Sequence, residues 1–136
     1  NALRWTDRDR PLAAEALAYS RALIQLRTSE AGRSLRLRER PPAGYHQWLQ
    51  PADVPALGYI VNAGHPRLGR AFVVLANADN DPVPFTFTLP AGRWRVIGDG
   101  KQIDPAGLTA YPPLVGPRET TIKVPGLRSL ILMDEG

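Results

Sequence analysis

Thirteen carboxylates and two histidines are the side chains of this 136-residue sequence that could move protons or hold a metal. Glycosyl transfer through a carboxylate nucleophile needs two such groups roughly 5 Å apart, flanking one bond. The acidic residues here fall instead where the chain turns. Asp79 and Asp81 flank Asn80 just before Pro82, and Asp99 and Asp104 lie in similar glycine- and proline-rich sequence. A calcium loop would need more oxygen ligands at defined spacing. Short acidic side chains in turns bond the backbone N–H two residues on, so Asx turns are the expectation at these positions. His46 and His65 have no partner at ligand spacing, and cysteine is absent. No zinc, iron or thiolate site is therefore expected. No catalytic residue, metal ligand or cofactor is assigned.

The aromatic side chains could do a different kind of chemistry. Sugar rings present apolar faces that stack on flat side chains. Trp94 alternates inward with Val96 and is expected in the core, as are Phe85 and Phe87. Trp5 and Trp48 are the two candidates for sugar contact. Trp48 follows Tyr45 and His46 in a proline-rich connection, where burial at a domain junction is the competing reading. For Trp5 the competing reading is packing under the first helix.

The composition narrows the classes further. An apolar content of 43% is ordinary for one globular domain. No run of about 18 apolar residues predicts a membrane span. A net charge of +4 is spread over arginines interleaved with carboxylates. It forms no patch, and nucleic acid is not an expected partner. A nucleic-acid-binding β-domain would also need basic and aromatic residues interleaved on one face, whereas Phe85, Phe87 and Trp94 are expected inside. The lack of cysteine leaves both a cytoplasmic and a secreted bacterial enzyme open. The chain starts at Asn1 with no basic-then-apolar leader, and is expected to be a piece of a longer protein.

Behind these residues stands a coarse architecture. Asp7 or Asp9 can cap a helix whose first turn holds Pro11, and residues 12–27 carry Leu12, Ala16, Tyr19, Leu23 and Leu26 on one stripe. Leu17 and Ile24 widen that stripe beyond what one exposed helix carries. Arg21 and Arg27 complement the dipole near its end, and residues 28–32 stop it. Strands are expected at 35–37, 57–61, 72–77, 85–89, 93–97, 120–124 and 129–133. Residues 72–97 read as a three-stranded antiparallel meander, with a turn at 90–92. The fold expected is all-β, a two-layer antiparallel β-sandwich of Greek-key type over residues 34–136, with one α-helix in front.

The same residues resemble a known family. Residues 1–5 (NALRW), followed after a spacer by residues 19–27 (YSRALIQLR), are similar to the end of the catalytic barrel in pullulanases. These are starch-debranching enzymes of the α-amylase family of glycoside hydrolases. Residues 29–33 (SEAGR) stand where those enzymes usually carry a tail ending in Pro-Ala-Phe-Arg, without its aromatic. Residues 72–78 (FVVLANA), 89–94 (LPAGRW) and 124–132 (VPGLRSLIL) resemble, in order, a pullulanase strand, hairpin and closing strand.

The resemblance implies that residues 1–33 are the last loop and helix of a (β/α)8 barrel and that 34–136 form its C-terminal β-sandwich domain. The parent would cleave α-1,6-glucosidic branch linkages in pullulan, starch or glycogen, with its catalytic carboxylates upstream of Asn1. The chain itself would be a non-catalytic domain that packs on and stabilises the barrel. Its partners would be that barrel and, for the parent, an α-glucan. The alternative is a carbohydrate-binding module that contacts α-glucans through exposed aromatics.

Overall fold

A computed structural model describes residues 10–136. It opens with helix α1 (Pro11–Thr28). Pro11 occupies the first turn as expected, but the N-cap is Arg10, in extended conformation and without a side-chain cap. Asp7 and Asp9 lie outside the described residues. At the other end, Ser29 donates its N–H to the carbonyls of Gln25 and Leu26, and its hydroxyl to Leu26 O. Arg36 then folds back, its Nε 2.9 Å from Arg27 O and its Nη2 3.3 Å from the Thr28 and Ser29 carbonyls. Charge-assisted bonds thus satisfy carbonyls that the helix leaves without partners.

That contact explains one departure from expectation. Residues 35–37 are not a strand; Ala31–Arg36 form a short 3-10 helix. A Cβ on Gly32 would lie 2.0 Å from Leu26 O, so glycine lets the chain double back tightly against the helix end. Capping by Arg36 and the hydroxyl bond from Ser34 to Arg70 O (2.6 Å) outweigh the alternating pattern.

Six strands follow: β1 (His46–Leu49), β2 (Ala56–Val61), β3 (Phe72–Asn77), β4 (Val83–Gly98), β5 (Leu114–Val124) and β6 (Arg128–Asp134). They form one wholly antiparallel sheet in the order β1-β2-β3-β6-β4-β5, curled into a half-barrel. The expected meander is corrected in two ways. β6 pairs between β3 and β4, which are consecutive in the chain but do not pair. Residues 90–92 do not turn the chain back. β4 runs through them as one 16-residue strand, bulged where its pairing with β5 shifts between Leu89 and Gly92. The indole N–H of Trp94 donates to Pro90 O at 3.0 Å across the bulge. Gly116 on β5 lets the strands meet there, since a Cβ would lie 2.0 Å from Pro90 O. A bulge bends a strand and raises its twist, which carries the first half of β4 away from β6 and over the sheet. Phe85 consequently reaches β2, 3.2 Å from where a Gly58 Cβ would stand.

Alternation on the strands fills two cores. On one face Ile60, Val73, Leu75, Leu130 and Leu132 pack with Phe85, Phe87, Leu89, Trp94 and Val124 from the curled β4–β5 pair. On the other, Val61, Phe72, Ile131 and Met133 pack with Leu26, Tyr45 and Ile97. Burial on both sides is why β3 reads as a continuous apolar run. The inward placement of Phe85, Phe87 and Trp94 agrees with the sequence.

The helix stripe agrees only at its C-terminal end. Leu26 is buried and Leu23 and Tyr19 are partly covered, but Leu12 is 81% exposed and Ile24 62% exposed. Leu17 is open as well.

Candidate functional site: an aromatic groove at the sheet edge

β1 is one of the two edge strands of the half-barrel. Pleating places His46 and Trp48, two residues apart, on one face of it. Their cross-strand partners on β2 are Val61 and Tyr59. Trp48 meets Tyr59 edge-on with ring centroids 5.6 Å apart. His46 and Trp48 are near-parallel, 17° between planes and 6.4 Å between centroids. Tyr45 turns the other way into the core and meets His46 edge-on at 5.0 Å. With residues 34–41 forming the opposite wall, these rings line a groove of 440 Å³.

The polar atoms divide the cluster in two. The Tyr45 hydroxyl donates to Ser34 O at 2.5 Å, which fixes the ring as a buried anchor. Burial pushes its pKa up, and the bond to Ser34 opposes this. Tyr59 also has its pKa raised by burial. Among the described residues, however, neither the Tyr59 hydroxyl nor the Trp48 indole N–H, the His46 imidazole or the Glu39 carboxylate has a hydrogen-bonding or ionic partner. Trp94, by contrast, is buried and its indole N–H is bonded. Of the two tryptophans among the described residues, the fold uses Trp94 as a core post and leaves Trp48 open with its donor free.

Of the two sequence candidates, Trp5 lies outside the described residues. Trp48 is 65% exposed on β1 in this chain, so the described residues do not bury it. The structure brings it together with His46, already its neighbour in sequence, and with Tyr59, which sequence reasoning did not single out. The signal was present in residues 45–49 (YHQWL), whose alternation marks a strand, but the preceding prolines made the stretch look like a connection.

Several carboxylates do structural work. Asp79 Oδ1 accepts the Asp81 N–H, Asp99 Oδ1 those of Lys101 and Gln102, and Asp104 Oδ1 that of Ala106, the expected Asx turns. Burial raises the Asp99 pKa, but the Gln102 and Lys101 bonds outweigh it and hold the group below its ordinary value. Glu135 pairs with Arg93 and Arg95. Among the described residues no group of three His, Cys, Asp or Glu side chains could hold a metal ion. A larger hollow, of 590 Å³, lies between the β1–β2 loop and residues 79–86. Its aromatic ring, Phe85, is packed in the core, and Asp79 there is committed to its turn.

No family model matches the chain, and no curated protein matches it either.

Proposed function

We propose that this chain is a non-catalytic C-terminal domain of a pullulanase-like glycoside hydrolase, in which it packs on and stabilises a preceding catalytic barrel. The observation that carries the reading is α1. An 18-residue helix places one end of its apolar surface on the sheet and leaves Leu12, Leu17 and Ile24 open. Leu17 and Ile24, seven residues apart, share one helix face, and large apolar residues open to water there are the kind of surface another element covers. The resemblance of residues 19–27 to the closing helix of a barrel supplies the partner. On this reading the curled sheet belongs to a two-layer Greek-key sandwich, in which the β4–β5 pair is the second layer. The parent hydrolyses α-1,6-glucosidic linkages with carboxylates upstream of Asn1.

Two measurements test it. The purified 136-residue chain should release no reducing sugar from pullulan; release would overturn the reading. In the parent, Ile24→Asp should speed thermal inactivation of pullulan hydrolysis while hardly changing the stability of the chain by itself. Equal effects in both settings would remove the docking role.

A further inference from the structure

The groove beside β1 is separate from the helix surface and does not depend on the proposed parent. Its lining is negative in two ways. Trp48, Tyr59 and Tyr45 contribute ring faces, the negative side of an aromatic quadrupole. Glu39, in the opposite wall, adds a carboxylate with no ionic partner among the described residues. Among the described residues no lysine or arginine lines the groove; Arg38 and Arg40 adjoin Glu39 in sequence but lie outside the lining. An anionic ligand would be repelled, and a neutral one would leave the Glu39 charge unused. A cation uses both features. Among cations the flat rings and the carboxylate suit a guanidinium best. Its face stacks on an indole while two parallel N–H bonds reach one carboxylate. A quaternary ammonium has no N–H for Glu39, and a lysine ammonium is compact, more strongly hydrated and not planar.

The strand beside the groove indicates what carries that guanidinium. β1 ends the sheet, and among the described residues no backbone hydrogen bond joins residues 46–49 to anything beyond β2. The other edge strand, β5, holds Pro117, Arg118 and Lys123, residue types that discourage pairing with another chain. β1, with the sequence HQWL, holds none of them. An extended peptide can add to such an edge, its main chain giving affinity and its alternate side chains specificity. The peptide residue opposite Trp48 then has its Cβ about 5 Å from that of Trp48, on the groove face. We propose that β1 and the groove together receive an extended segment of a partner protein, whose arginine lays its guanidinium on Trp48 and pairs it with Glu39. Loss of the positive charge removes the stack and the ion pair together, which weakens the segment by about tenfold.

The test is calorimetric titration of the intact 136-residue chain at pH 8 with a blocked peptide of alternating Thr and Val around one central Arg. The same peptide is made with Lys or with citrulline at the centre; citrulline keeps the shape of arginine and removes its charge. The expected result is saturable binding of the Arg peptide at millimolar concentration, with the citrulline peptide about tenfold weaker and the Lys peptide between them. Glu39→Gln should weaken the Arg peptide and leave the citrulline peptide unchanged. Trp48→Ala should weaken the Arg peptide too, whereas Val115→Ala, on the opposite edge strand, should change nothing. Glu39 and Trp48 are exposed, so both variants keep their fold, checked by far-ultraviolet circular dichroism. No saturation overturns the proposal. Equal binding of the Arg and citrulline peptides does so as well, since charge would then play no part. Binding of N-acetylarginine amide as tight as that of the peptide removes the pairing with β1, and tighter binding of tetramethylammonium or maltohexaose assigns the groove to another ligand; either overturns it. Loss of barrel docking through α1 would leave these titrations as they were, so the two proposals fail separately.

Discussion

Replacing Asn77 by Ala should unfold this domain more readily than any exposed substitution. Asn77 ends β3 and is buried. Its Nδ2 group donates to Asp81 O at 2.8 Å, Val124 O at 3.2 Å and Pro125 O at 3.1 Å. Its Oδ1 accepts the Asp79 N–H at 2.8 Å. One side chain thus ties the end of β3 to the turn that feeds β4 and to the link from β5 to β6. An amide has two N–H bonds, so the three acceptors share them, and the side chain is worth about three hydrogen bonds in all. Each contributes about 1 kcal/mol net, and a buried carbonyl left without a donor adds to the loss. Asn77→Ala should therefore cost about 3 kcal/mol. In urea, with a slope of about 2 kcal/mol per molar, the midpoint should fall by about 1.5 M. Asn77→Asp keeps the acceptor for Asp79 but turns a carboxylate toward three carbonyls. Its folded pKa is then raised, so stability is present when the group is protonated and is lost as pH rises through that pKa. Its deficit should be large at neutral pH and shrink in acid. A midpoint for Asn77→Ala within about 0.3 M of the parent, or a deficit for Asn77→Asp that grows in acid, would refute the role assigned to this side chain.

Leu26→Ala should cost about 2–4 kcal/mol in urea titration, while Leu12→Ala should stay within about 0.5 kcal/mol; similar costs would mean that α1 packs differently. Gly58→Ala puts a Cβ 2.8 Å from Leu75 Cδ2 and 3.2 Å from Phe85 Cε1. It should cost about 1–3 kcal/mol by calorimetry, and a neutral effect would argue against the close seating of Phe85 on β2. Burial raises the pKa of Asp134, opposed by the Ala71 N–H and by Arg70. A carboxyl raised in this way contributes stability that is present below its unfolded pKa, about 3.9, and is lost as pH climbs through the folded value. Asp134→Asn, which keeps an acceptor for Ala71, should therefore gain on the parent between pH 3.5 and neutrality in paired urea midpoints; the opposite trend would contradict the shift.

Much of the fold was legible because the relevant signals are local. Pro11, the apolar run of β3 and the Asx residues each act within a few positions, and the structure agrees there. Two errors share one cause. Residues 90–92 look like a turn because Pro-Ala-Gly is turn chemistry, but Trp94 bonds Pro90 and β5 follows through the bend. Residues 35–37 alternate like a strand, but Arg36 reaches back nine residues to Arg27. In each case a partner outside the local window decides the conformation. The order β3-β6-β4 is equally non-local. The groove was half legible: Trp48 stood out as a candidate, whereas Tyr59 joins it only through cross-strand register.

Hydrogen exchange in α1 tests the central claim most directly. Amides of residues 12–28 would be followed in the chain by itself and in the proposed parent, with its catalytic barrel in front. A helix with Leu12, Leu17 and Ile24 open should exchange readily in the isolated chain, since local opening costs little where few apolar contacts hold it. In the enzyme those turns should become strongly protected, while β3 and β6 stay as slow as before. Equal exchange of α1 in both settings would contradict the account, because the helix would then have no partner to cover it.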